Sequence, residues 1–88
     1  MKSINMEQLL IYHGKIIRAT GGSKGIRDEG LLESALNKPF MTFGGQELYE
    51  GLHKKISAIT FSLIKNHGFV DGNKRIGVAT MLLLTKMN

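Results

Sequence analysis

Apolar residues recur at helical spacing in four stretches of this 88-residue chain, each bounded by residues that start or stop helices. Leu9, Leu10, His13, Ile16 and Ile17 share one face of a first helix. Asn5 is placed to cap it, with Gln8 at the third helical position, and Gly21-Gly22 stops it. Asp28 caps a short second helix with Leu31, Leu32, Ala35 and Leu36 on its apolar face, ended by Pro39. A third, longer helix is predicted from about Gln46 to Asn66, carrying Leu48, Leu52, Ile56, Ile59, Leu63 and Ile64 on one side. The fourth starts near Asp71, which is placed to N-cap it, and carries Ile76, Val78, Ala79, Leu82, Leu83 and Met87.

Two connections break the helical pattern. Gly21-Gly22-Ser23-Lys24-Gly25 has the composition of a phosphate loop, but it lacks Walker spacing and follows a helix, so it reads as a helix–helix connection. Pro39-Phe40-Met41-Thr42-Phe43-Gly44-Gly45 has β character and paired glycines that allow a tight hairpin; the other reading is a plain loop whose two phenylalanines fill the core. The pattern therefore predicts an all-α fold, residues 1–88 as a single domain, with a hairpin-like insertion and no internal repeat.

Composition narrows the function classes. Without cysteine there is no disulfide framework and no thiolate chemistry, which suits a reducing cytoplasm. No apolar stretch reaches membrane-spanning length, and Met1-Lys2-Ser3-Ile4-Asn5 leads into an amphipathic helix rather than a signal peptide, so a soluble, cytoplasmic chain without membrane contact is expected. The net charge of +5 permits nucleic-acid binding, yet the lysines and arginines are scattered and only Lys74-Arg75 joins a motif. A basic surface that attracts ATP or an acidic protein explains the charge without direct nucleic-acid contact. His13 and His53 lie within helices without metal-ligand spacing, so partly buried or surface roles are their default.

The candidate chemistry is concentrated in His67-Gly68-Phe69-Val70-Asp71-Gly72-Asn73-Lys74-Arg75. A helix beginning there would aim the N–H groups of Gly72, Asn73 and Lys74 outward, which is a geometry that binds phosphate. Gly72 lets the backbone approach an anion, and Asn73 offers an amide to a phosphate or to the loop's own carbonyls. Lys74 and Arg75 add full positive charge. Asp71 is a hard oxygen ligand suited to Mg²⁺, and His67 is a proton acceptor for an attacking hydroxyl. Phe69 would tuck into the core and steady the loop.

This run resembles the signature of the Fic/Doc superfamily, and Lys74, standing where Fic adenylyltransferases keep glycine, makes it similar to the Doc branch. The segment from Gly25 to Leu36, followed by Pro39, is similar to the N-terminal helix region of Doc-like proteins. The resemblance implies a small helical bundle with a flap over the site, in which Thr42, Phe43 and Gly44 hold the target peptide as an added strand. It further implies a toxin of a toxin–antitoxin pair that moves the γ-phosphate of ATP to a serine or threonine hydroxyl, characterised relatives acting on a translation elongation factor. In that scheme His67 is the general base, Asp71 holds Mg²⁺, Gly72, Asn73, Lys74 and Arg75 bind the phosphates, and Lys74 also acts in catalysis. Two alternatives accompany it: AMP transfer of the Fic type, and an inactive relative that only binds nucleotide or antitoxin. Val78 stands where the longer Fic signature has a second arginine, and no Ser/Thr-x-x-x-Glu-Gly/Asn inhibitory motif is present, so restraint is expected from an antitoxin in trans. The chain stops at Asn88, where relatives usually continue through further helices, and Ala79 replaces a polar residue of a close relative. A C-terminal truncation is thus expected. Apolar residues around the fourth helix, Ile76, Leu82, Leu83, Leu84 and Met87, suggest self-association or an antitoxin helix laid against them.

Overall fold

The computed structural model describes residues 1–88 and orders the elements as α1 (Met6–Thr20), α2 (Glu29–Asn37), a 3₁₀ turn (Lys38–Phe40), β1 (Thr42–Phe43), β2 (Gln46–Glu47), α3 (Leu52–Asn66) and α4 (Asn73–Met87). The caps read from the sequence start the first two helices. The Asn5 side chain accepts the Gln8 N–H at 2.8 Å while Gln8 accepts the Asn5 N–H at 2.9 Å, and Asp28 accepts the Leu31 N–H at 3.2 Å. Gly21, at φ 86°, stops α1.

The four helices share one core. Leu9 of α1, Leu32 and Ala35 of α2, Ile59 and Leu63 of α3, and Ile76 and Leu84 of α4 are buried around Phe69, which enters from the loop between α3 and α4. α3 and α4 form the most extensive pair. Gly77 permits their close approach, since a Cβ there would lie 2.5 Å from Ile64 Cγ1. No helix is long and apolar enough to cross a membrane.

The third helix differs from expectation at its start. Gln46 and Glu47 pair antiparallel with Phe43 and Thr42 instead of opening α3, and Gly51, at φ 85°, caps the helix that begins at Leu52. Leu48 is consequently half exposed rather than part of the apolar face. The hairpin turns through Gly44 and Gly45, both at positive φ, as a two-residue turn matched to strand twist requires. Its phenylalanines do not fill the core: Phe43 is 82% exposed and Phe40 51%. Buried Lys55 ties the hairpin base to α3, donating to the Tyr49 carbonyl and pairing with Glu47 at 3.2 Å.

The apolar residues of α4 also divide differently. Ile76 and Leu84 are fully buried, and Leu83 and Met87 pack against the core. Leu82 is exposed as expected, and Val78 and Met81 complete the exposed strip with it.

Candidate functional site

The loop of residues 67–72, joining α3 to α4, is fastened from both sides. His67 ends α3 in the left-handed region at φ 51°, and no other non-glycine residue has positive φ. The carbonyls left open there are capped by Arg27, whose guanidinium donates to the Asn66 and His67 oxygens. The segment after α1 then runs beside the loop as a strap. Arg27 and Asp28 donate their N–H groups to the Gly68 carbonyl at 2.8 and 2.9 Å, Val70 donates to the Gly25 carbonyl at 3.0 Å, and Ile26 bridges to Phe69.

Inside the loop, Asn73 holds Phe69 by both backbone groups: its Oδ1 accepts the Phe69 N–H and its Nδ2 donates to the Phe69 carbonyl, each at 3.0 Å. Of the two roles foreseen for this amide, the structure assigns it to the loop's own backbone, and the buried side chain is not aimed at an anion. Phe69 stacks on the His13 ring, centroids 3.7 Å apart and 3° from parallel.

Gly72, at φ 76°, is the N-cap of α4, not Asp71. The Gly72 N–H turns back onto the Asp71 carboxylate, where Oδ1 accepts it at 2.7 Å. The Ser23 N–H reaches Oδ2 at 3.1 Å, and Arg75 pairs with Oδ1 at 3.5 Å. The outward-facing donors are therefore the N–H groups of Asn73, Lys74 and Arg75, none of which has an acceptor within the chain; the Gly72 N–H is already taken. Arg75 is also partly committed, because its Nη1 donates to Thr20 Oγ1 and to the Gly21 carbonyl. Lys74 is exposed and pairs with no carboxylate, which makes it the free cation of the site.

These groups border one open cleft of about 270 Å³, lined by His67 and residues 70–75. The exposed His67 side chain stands on one side, with the first turn of α4 and the half-exposed Asp71 carboxylate on the other. Hydrogen bonds from Ser23 and Gly72 hold the Asp71 carboxyl below the ordinary aspartate range, with Arg75 and His13 adding smaller attractions, so it is ionised. No cluster of three or more histidine, aspartate or glutamate side chains forms a cage for a metal. Mg²⁺ needs none when phosphates supply the other oxygens, and Asp71 Oδ2, with one donor upon it, keeps a lone pair for a cation. The residues fit a metal that arrives with a phosphorylated ligand.

Thr42, Phe43 and Gly44 are exposed on the hairpin and do not line this cleft. A larger concavity of about 660 Å³ begins at Lys38 and Tyr49, follows α3 and ends at Asn66, beside His67.

The strap is the part of the site that sequence reasoning missed. Gly21–Gly25 is more than a helix connection, because Ser23 binds Asp71 and a Cβ on Gly22 would sit 2.5 Å from Asp71 Oδ2. The repeated glycines were the available signal. His13, for which a partly buried or surface role is the default, is instead buried, at 4% exposed, and reaches the loop itself.

The Fic/DOC family model matches residues 3–85. Over 70 residues the chain is 40% identical to a protein named Toxin Doc from Mycolicibacterium smegmatis, an overlap that covers 80% of this chain and 54% of that one. This chain thus spans about half the length of that curated relative. No solved structure matches it.

Proposed function

This chain belongs to the Fic/DOC family, on its Doc branch, and from that premise we propose that it is a Doc-like toxin that transfers the γ-phosphate of ATP to a serine or threonine hydroxyl of a target protein. The observation that carries the reading is the convergence on one cleft of three unpartnered N–H groups, the free Lys74 cation, the ionised Asp71 and the exposed His67.

In this mechanism the N–H groups of Asn73, Lys74 and Arg75 receive phosphate oxygens at the positive end of α4. Lys74 adds a point charge that stabilises negative charge as it moves toward the leaving oxygen. His67, as neutral imidazole, takes the proton of the target hydroxyl; the hydroxyl oxygen bonds to the γ-phosphorus, the bond to the bridging oxygen breaks, and ADP departs. Mg²⁺, held through Asp71, would neutralise phosphate charge. The hairpin's exposed edge is suited to receiving a target strand. Restraint comes in trans from an antitoxin, for which the Val78–Leu82 strip beside Lys74 offers an apolar seat; the same strip can join two copies of the chain.

Incubation with ATP labelled at the α- or γ-phosphate in a bacterial lysate tests the reaction. Transfer of γ-label to protein is expected. His67→Ala should lower the rate by about 10²–10⁴ while ATP binding survives. Lys74→Gly should weaken γ-transfer. Transfer of α-label would instead assign AMP transfer, and absence of both labels would leave a binding protein.

A further inference from the structure

We propose that His13 is a positioning residue for the phosphate cradle, acting through the peptide unit between Asp71 and Gly72. The inference rests on the reading of this cleft as an anion site. His13 lies on α1, 58 residues before Asp71, and its Nε2 is 2.7 Å from the Asp71 carbonyl oxygen. A carbonyl only accepts, so Nε2 carries the hydrogen and the ring donates.

That bond completes a clamp. The carbonyl end of the Asp71–Gly72 peptide is held by His13, and the N–H end, on Gly72, is held by Asp71 Oδ1 at 2.7 Å. The plane of this peptide fixes φ of Gly72 at 76°, and Gly72 in turn supplies the carbonyl that accepts the Ile76 N–H, the first hydrogen bond of α4. Rotation of the peptide would therefore swing the axis of the first helical turn and the three N–H groups that it presents. His13 is itself immobilised by stacking on Phe69 and by burial. α1 also presses on the cap directly: a Cβ on Gly72 would meet Ile17 Cδ1 at 3.0 Å and His13 Nε2 at 3.5 Å.

Two substitutions separate the donor from the ring. His13→Phe keeps an aromatic surface for Phe69 but donates nothing; His13→Gln keeps an amide donor at similar reach and loses the stack. Hydrogen exchange of the Gly72 amide and titration with inorganic phosphate, followed through the amide shifts of Asn73, Lys74 and Arg75, read the two effects. In His13→Phe, Gly72 should exchange about tenfold faster and phosphate should bind about tenfold more weakly, the worth of roughly one hydrogen bond. His13→Gln should return both to within about threefold of the parent. A folded His13→Phe protein with parental exchange at Gly72 would overturn the proposal, as would equal losses in both variants, which would assign the effect to the stack. If the parent shows no phosphate shifts, the anion reading fails alone, and Gly72 exchange still decides the role of His13.

Discussion

Asp71 shows how one residue serves the loop and the cleft together. Its folded carboxyl is depressed by the Ser23 and Gly72 N–H groups, so the stability they confer is fully present above the unfolded-state pKa and is lost as pH falls through the lower, folded one. Urea midpoints measured against pH should show a fall in acid that Asp71→Asn diminishes; identical profiles for the two proteins would mean that these bonds contribute nothing to folding. From the sequence Asp71 reads as an N-cap and a candidate metal ligand; its acceptance of the Ser23 N–H is not legible there, because Ser23 lies 48 residues away. Asn73 was legible only as a pair of alternatives, since an amide can serve anion or backbone and its neighbours decide. Arg75 reads from the sequence as a phosphate grip, and its added reach to Thr20 and Gly21, at another helix end, is not legible there.

At the scale of elements, close approach between the loop and α2 is the feature most sensitive to a single methyl group. A Cβ on Gly68 would overlap Leu32 Cδ2 and lie 2.7 Å from Leu32 Cγ and 3.3 Å from the Asp28 carbonyl, and Leu32 is 1% exposed, with no room to retreat. Gly68→Ala should destabilise the fold by about 1–3 kcal/mol. Gly14, in mid-α1, has nothing within 4 Å of its added Cβ, so Gly14→Ala should stabilise by about 1 kcal/mol. Denaturant titration of the two variants would expose an error if both shifted in the same direction. The helices themselves were legible, because Leu9, Ile17, Leu32, Ile59 and Leu63 repeat with the period that a buried face imposes. The start of α3 was not: Leu48 fits the helical period, but pairing of Gln46 and Glu47 with the preceding strand overrides it.

For the whole molecule, the exposed strip of Val78, Met81 and Leu82 bears on association. Sedimentation velocity at micromolar concentration is expected to show mass rising with concentration, and Leu82→Lys to suppress the rise; a monomer at every concentration would exclude self-association and leave an antitoxin as the strip's one proposed occupant. The site itself is drawn from distant parts of the chain: His13, Ser23 and Arg27 from the first third, His67 to Arg75 from the last. Separations of 58 and 48 residues between His13 or Ser23 and Asp71 make its formation a late event in vectorial synthesis. On the ribosome, α1 and the strap emerge first and have nothing to clasp, because the loop and the helix that anchors it through Ile76 and Leu84 are still to be made. A nascent chain therefore carries no cradle until α4 has cleared the exit tunnel and can pack Ile76 and Leu84 into the core.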